Sequence, residues 1–595
     1  ISQSGELHTL SQLGIASIQL SGTARNTALI DANTGMASGN TLQTSGSFTR
    51  VDGSVGASGD LLLASNNFYR EFTDEPVVTQ EAQVLPQMQG SGWVRDLREA
   101  MSLGSSAAQA LQATAAQFAG GTTQAQQRAQ LDALLGNWAA SSGRLVGSTQ
   151  TYNLAVVDGN YVTADLNNFG STSLYLTVHV TGMETTVPAV GGGTWTELTA
   201  QGQEVLRRMN VLEVFNGTKF YQIPVGNPNT NGVMAVANTG TSSGAAAPIG
   251  GVFYSTTLST RQIDLINQSY DALKASVYGA LVVQTRLKPY LDSIELVIDE
   301  TGVRFDTTAM VAMVQGKVAT DTLNAVADLI DMKKHAGTTV QAIGWEPYKT
   351  LAGILETVTI TPEIQSLLTA DRIVSLGATG TNLTVSNAAG ATVLGNASAN
   401  TLNGGAGADK LYGQGGNDTL VAAGNGDLLD GGAGDDTLSV SSSSNSDTTF
   451  IGGAGNDTLN GSYYNDLYLF NLGDGQDTIN DYTPYGGYTD VLRLGAGIAA
   501  GDVTPVRSGV DLIFKVGAGS DQITVKNWFA NAANAYQIER IEFADGTVWS
   551  NTEVNTRALV VTGTAGADSL TGVTAFVDKL YGQGGNDTLV AAGNG

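Results

Sequence analysis

Aspartates stand nine residues apart at Asp409, Asp418, Asp427 and Asp436, each followed two positions later by a leucine: Leu411, Leu420, Leu429 and Leu438. Glycines precede them at fixed offsets, so the units read G-G-x-G-x-D-x-U-x with U a large apolar residue. They are GGAGADKLY with Gly404, Gly405 and Gly407, GQGGNDTLV with Gly413, Gly415 and Gly416, AAGNGDLLD with Gly424 and Gly426, and GGAGDDTLS with Gly431, Gly432 and Gly434. GGAGNDTLN repeats the pattern with Gly452, Gly453, Gly455 and Asp457. GNASANTLN from Gly395 is a degenerate opening unit with Asn400 at the aspartate position, and GSYYNDLYL from Gly461 is a degenerate closing unit that keeps Asp466. A flexible linker would not hold Asp and Leu in step through four consecutive units. Carboxylates and turn carbonyls offer hard oxygen ligands, of which Ca²⁺ takes about six to eight. These glycines and aspartates are the candidate metal ligands, and several Ca²⁺ ions the expected cofactor.

Such ligands need a scaffold. Each unit is read as half a turn of a flattened coil, in which glycines adopt backbone angles a Cβ would forbid and turn carbonyls toward one edge. The x-U-x tail is a short strand whose U residue points inward, so Leu411, Leu420, Leu429 and Leu438 form a thin apolar stack. Two units complete a turn, which places Asp427 above Asp409 and Asp436 above Asp418. Without an ion the stacked carboxylates repel, so folding and calcium binding are expected to be one event. A serine run between Val440 and Ile451 breaks the nine-residue phase before Gly452 restores it.

The block Asp409 to Gly426 recurs unchanged from Asp578 to Gly595, 169 residues later. A second coil is therefore expected from Gly563, with Asp568 and Asp587 as its ligands, and the parent protein is expected to continue beyond residue 595.

The nonapeptides resemble the haemolysin-type calcium-binding repeats of RTX proteins. The segments FNLGDGQDTINDY from Phe470, DLIFKVGAGSDQITVKNWF from Asp511 and IERIEFADGTVW from Ile538 resemble the β-rich domain that follows such a roll. WVRDLREAM from Trp93 and QTRLKPYLDSIEL from Gln284 resemble accessory regions of large iron-regulated and bacteriocin-like members. The resemblance implies a secreted, extracellular or cell-surface protein exported by type I secretion machinery. It leaves open an adhesin or toxin role for the N-terminal part, toward a cell-surface target the sequence does not name.

Composition agrees. The 595 residues exceed what one core can organise, and 54 acidic against 28 basic residues leave a formal charge of −26. That balance argues against nucleic acid or anionic membrane as a partner, since both need a basic footprint. There is no cysteine, so neither disulfides nor thiolate sites staple the fold. No apolar run reaches the roughly 18–20 residues of a membrane span. The start at Ile1 makes the lack of a leader uninformative.

The expected fold class is α+β and multidomain: mixed and helical N-terminal modules, then a parallel β-roll and a β-rich companion. The divisions are a β-rich and loop region at 1–90, helices at 91–145, and a mixed α/β part with linker at 146–255. A helical part follows at 256–378, then the roll at 379–469, the β-rich domain at 470–556 and the second roll from 557. Two or three helices are expected between Trp93 and Trp138. A helical pattern covers Glu197 to Met209. Ser259-Thr260-Arg261-Gln262 reads as a capping box with Leu258 and Ile263 as its staple. A helix from Asp306 to His335 is expected to end on Lys333-Lys334-His335 with Gly337 as its cap, and another amphipathic stretch lies between Gly344 and Leu376.

Catalytic signatures are absent from this reading. The histidines His8, His179 and His335 are too scattered for a His-Glu-x-x-His zinc site. The one G-x-S-x-G match, Gly240 to Gly244, sits in a Gly/Asn/Ser/Ala loop without the strand and helix a nucleophile elbow needs. No enzyme is expected. Ile1 to Leu7 fits either the tail of an EF-hand-type loop, with Glu6 as last ligand, or a surface loop bearing one glutamate.

Overall fold

The structure is a computed structural model. It describes residues 76–145, 151–157, 161–164, 174–188, 194–218, 222–224, 234–237, 252–299, 302–386, 389–440, 447–483, 487–530, 534–573 and 576–592, together with 72, 74, 220 and the backbone of four strands between 15 and 62. Glu6 and the Gly240–Gly244 match lie outside the described residues. Two compact units divide the chain, residues 1–119 with 130–277, and residues 120–129 with 278–595.

In the first unit the strands between 15 and 62 form a four-stranded antiparallel sheet. A second sheet runs in the order Gln222–Pro224, Tyr161–Ala164, Thr151–Val157, Leu174–Val180, Val252–Leu258 and Met234–Ala237. Helices form at Leu97–Met101, Ser106–Gly120 and Gln124–Ser141, punctuated by Gly104 and Gly120-Gly121 as their spacing predicts. The capping box is present: Ser259 N–H donates to Gln262 Oε1 at 2.9 Å and Gln262 N–H to Ser259 Oγ at 3.4 Å. Leu258 and Ile263 are buried together with Val178, Val205 and Met209. The helical pattern from Glu197 is resolved into the strand Thr194–Leu198 and the helix Ala200–Asn216, with the Thr199 hydroxyl capping the helix start.

The second unit corrects one helix. Residues expected as one helix from Asp306 to His335 are the strand Gly302–Asp306 followed by helices Thr308–Thr320 and Thr322–Ala342. Asp321 leaves the helical region (φ −155°, ψ 72°) and caps the second helix by accepting from Asn324 N–H at 3.3 Å. His335 is therefore not a helix-end cation, and Gly337 is interior. Burial holds the His335 imidazole below its ordinary pKa. Its ring occupies the space a Cβ on Gly279 would need. The stretch after Gly344 forms Pro347–Thr357 and Pro362–Ala370, each with proline in its first turn. Arg286 ties the bundle together in a buried network. Its guanidinium pairs with Asp328 and Asp331, and Tyr290 Oη donates to Asp328 Oδ2 at 2.7 Å.

From Ile373 onward two nine-stranded sheets face each other. One begins Ile373–Ser375, Thr392–Leu394, Lys410–Gly415, Asp427–Ala433, Thr448–Ala454 and Asp466–Phe470; the other begins Asn382–Thr384, Thr401–Asn403, Thr419–Ala422, Thr437–Val440, Thr458–Asn460 and Gln476–Asn480. The chain alternates between them, and consecutive strands within each sheet pair in parallel. Register stacks Leu402, Leu420, Leu438, Leu459 and Ile479 on one sheet, and Leu411, Leu429, Phe450, Tyr468 and Leu492 on the other. All ten are buried in one core. The serine run lengthens one turn without ending the roll, since Leu438 pairs directly with Leu459.

Residues 470–556, expected as a separate β-rich domain, extend the same sheets. Gln476–Asn480 pairs in parallel with Gln522–Val525, and Val491–Leu494 with Arg540–Glu542. Only then does pairing turn antiparallel, through Val503–Ser508, Asp511–Val516 and Val548–Ser550. These hairpins and the helix Asn551–Ala558 cap the roll and protect its last edge.

Candidate metal centres

The two oxygens of each roll aspartate have different surroundings. Oδ1 accepts the backbone N–H of the residue one turn earlier: Ala391 to Asp409 at 2.6 Å, Asn400 to Asp418, Asp409 to Asp427 and Asp418 to Asp436 each at 2.7 Å. The ladder crosses the serine run, with Asp436 N–H on Asp457 Oδ1 at 2.8 Å. One edge of the roll thus carries Asn400, Asp418, Asp436, Asp457 and Asp477; the other carries Asp409, Asp427, Asp466 and Asp490.

Oδ2 separates the units into two kinds. In Asp409, Asp418, Asp436 and Asp457 it is buried with no hydrogen-bond partner. These follow the units that begin with Gly404, Gly413, Gly431 and Gly452, and the glycine leaves the room. A Cβ on Gly413 would overlap both Asp418 Oδ2 and the carbonyl oxygen of Gly431 in the next turn; one on Gly431 would overlap Asp436 Oδ2 and crowd Gly452 O. An anionic oxygen and a carbonyl oxygen therefore both lie against the first glycine with no donor for the carboxylate, and hard oxygens of this kind are what Ca²⁺ binds. In the degenerate units the second oxygen is satisfied. Asp427 Oδ2 accepts Gly424 N–H at 2.9 Å, and Asp466 Oδ2 accepts Ser462 N–H at 2.6 Å, so both of their oxygens are held by amides.

Electrostatics agree. Burial pushes the Asp418 and Asp436 carboxyls up to about 7 and Asp457 up to about 6, and no cationic side chain opposes it. Asp409 and Asp427 are raised for the same reason, partly offset by backbone amides. Burial thus makes it unfavourable to hold either carboxylate ionised at neutral pH. A divalent cation beside the carboxylates removes that cost.

The other glycines act through backbone approach. Gly432 and Gly434 have φ of +108° and +132°, and a Cβ on either would overlap a carbonyl of the turn below. Gly416, Gly426, Gly453 and Gly455 are also left-handed. Gly404, Gly405, Gly407, Gly413, Gly415, Gly424, Gly431 and Gly452 are not, so for the first glycine of a unit the requirement is space for the carboxylate, not an unusual angle. A Cβ on Gly415 would make only ordinary contacts, with Ala397 Cα at 3.7 Å and Ala433 O at 3.8 Å.

Asp477 and Asp490 belong to the ladders but were assigned no ligand role from sequence. Each keeps the D-x-U signal, in Asp477-Thr478-Ile479 and Asp490-Val491-Leu492, at spacings stretched beyond nine. Asp490 also joins Asp466 and Asp481 in a buried cluster whose ligand atoms lie within 4.8 Å of one another. Hydrogen bonds from Tyr468 Oη to Asp481 (2.7 Å) and from Thr483 Oγ1 to Asp490 (3.0 Å) hold it. In the second roll Asp568 N–H donates to Asp587 Oδ1 at 3.0 Å, and a Cβ on Gly582 would overlap Asp587 Oδ2, as in the first.

The RTX calcium-binding nonapeptide repeat family matches four segments, 394–429, 421–446, 442–479 and 562–594. These segments are RTX nonapeptide repeats, and such repeats bind calcium ions. The haemolysin-type calcium binding protein related domain matches 511–553, the cap of the RTX roll. The chain is 28% identical over 591 residues to the iron-regulated protein FrpA of Neisseria meningitidis serogroup C, covering 96% of this chain and 43% of that protein. It thus spans less than half the length of that relative. Among solved structures, the extracellular lipase LipA of Serratia marcescens is 16% identical, over 24% of this chain and 38% of LipA, with a TM-score of 0.12 that bears no weight for the fold. Among the described residues of the RTX chain no helix is long and apolar enough to cross a membrane.

Proposed function

We propose that this RTX chain is exported through type I secretion machinery in a calcium-poor, unfolded form and folds outside the cell when Ca²⁺ binds beside Asp409, Asp418, Asp436 and Asp457. The observation that carries this reading is the buried, partnerless Oδ2 of each of these aspartates, joined at Asp418 and Asp436 by a carbonyl oxygen of the next turn. Calcium is scarce inside cells and abundant outside, so the same carboxylates that keep the roll open during passage close it afterwards. The role is binding and folding, not catalysis.

The test is a calcium titration of the whole chain in chelator, followed by far-UV circular dichroism. A gain of β signal that saturates with Ca²⁺ and is not reproduced by Mg²⁺, which dehydrates reluctantly, supports the reading. A full β signal in chelator, unchanged by calcium, overturns it.

A further inference from the structure

The opening turn of the second roll is built differently from its counterpart in the first. Val560–Thr562 pairs with Lys579–Tyr581, and Ser569–Thr571 with Thr588–Val590. Lys579 N–H donates to Leu559 O at 2.9 Å, just as Lys410 N–H donates to Ala391 O at 2.8 Å. Asp578 is the counterpart of Asp409, whose Oδ1 takes the Ala391 amide. The matching amide, Leu559 N–H, is not available to Asp578. The helix Asn551–Ala558 claims it, through Asn555 O at 3.0 Å. Asp578 Oδ2 has the Val573 amide at 2.6 Å, but Oδ1 is left buried without a hydrogen bond.

What faces that oxygen is Arg507, on the cap hairpin of the first roll. Its Nε lies 3.8 Å from Asp578 Oδ1, and both side chains are nearly buried, at 8% and 9% exposure. Arg507 Nε is itself buried and makes no hydrogen bond, while Nη2 donates to the Thr571 carbonyl and Nη1 to the Gly509 carbonyl at 3.4 Å. Around the pair, Phe529 of the cap meets Phe576 edge-to-face at 5.5 Å, and Leu559 and Val573 complete the apolar contact.

We propose that Arg507 is a built-in cation that keys the second roll onto the cap of the first: the guanidinium compensates the Asp578 carboxylate where the missing turn supplies no amide. The cap is thereby an interaction surface whose partner is the opening turn of the next roll in the same chain. The opening turn of the second roll orders together with the first roll instead of waiting for an ion of its own. Arg507 is a positioning residue, acting through Asp578 and Thr571.

Hydrogen exchange of the whole chain across a Ca²⁺ titration tests this, read separately for 401–440, 503–516 and 560–581. In the unaltered chain, protection of 560–581 is expected to arise at the same calcium concentration as protection of 401–440. Arg507→Met and Asp578→Asn are each expected to move the 560–581 midpoint at least tenfold upward and leave 401–440 in place. Combining them is expected to do no more than either alone, and Arg507→Lys to restore part of the protection. Unchanged protection of 560–581 in both single variants overturns the proposal, as does an additive double variant. Loss of 503–516 in Arg507→Met, with 560–581 still protected in Asp578→Asn, overturns it as well.

Discussion

The backbone amide of Asp418 donates to Oδ1 of Asp436 at 2.7 Å, one turn along the roll, while Oδ2 of Asp436 is buried and has no partner. One carboxylate thus joins two turns through one oxygen and keeps the other for a cation. The two tasks can be separated by mutation.

Asp436→Asn keeps an acceptor for the Asp418 amide and removes the anion. Calcium affinity measured by isothermal titration calorimetry on the whole chain is expected to fall at least tenfold for the affected site. The β signal in chelator is expected to rise, because a repelling buried charge has gone.

Asp427 behaves as the opposite case. Both of its oxygens accept amides, from Asp409 and Gly424. Asp427→Ala is expected to destabilise the roll by about 1–3 kcal/mol, by the same amount with and without calcium, in urea unfolding followed by circular dichroism. Asp436→Ala is expected to lose far more with calcium than without it.

Gly413→Ala places a methyl on Asp418 Oδ2 and Gly431 O, whereas Gly415→Ala meets nothing closer than 3.7 Å. The first substitution is expected to lower the calcium-saturated stability by more than about 2 kcal/mol and the second by less than about 1 kcal/mol. Equal effects would show that the first glycine is not making room for the carboxylate.

pH dependence in chelator has a definite sign. Asp418 and Asp436, raised to about 7, and Asp457, raised to about 6, bind protons more tightly in the folded roll than in the unfolded chain. Their contribution to stability is full below the ordinary carboxylate pKa near 3.8 and is lost as pH rises through 6–7. The chelated roll is therefore expected to hold more β structure at pH 4.5 than at pH 8, and calcium affinity to rise over the same interval.

Arg286→Met leaves Asp328 and Asp331 buried without their main counter-charge. A loss of about 3–5 kcal/mol is expected, read as faster amide exchange in the helix Thr322–Ala342.

Much of this was legible in the sequence because the signal is a spacing. Asp409 to Leu438 states its own period, and the period dictates both the inward leucines and the stacked aspartates. Asp477 and Asp490 escaped because insertions of unequal length separate them from their partners. The roll keeps its register by pairing D-x-U segments, not by counting nine residues. Asp427 resembled the other aspartates in sequence, and only the Gly424 amide in its turn sets it apart. His335 was misread because Lys333-Lys334-His335 before a glycine looks like a helix end, while burial against Gly279 keeps the helix going. Arg507 carries no local signal at all, since its meaning comes from a hairpin that folds back beneath a strand more than fifty residues later.

The D-x-U aspartates take the amide of the turn before them, at Asp409, Asp427, Asp436 and Asp457. A second set of bonds runs the other way, from the amides of Asp435, Asp447 and Asn456 to Asn417, Asn425 and Asp435 of the turn before. Adjacent turns are thus laced in both directions, and a turn at either end of the stack leaves partners unmet. The antiparallel cap at Val503–Val516 is then a terminator as much as a lid, ending the parallel pairing that would leave an open sheet edge for another chain.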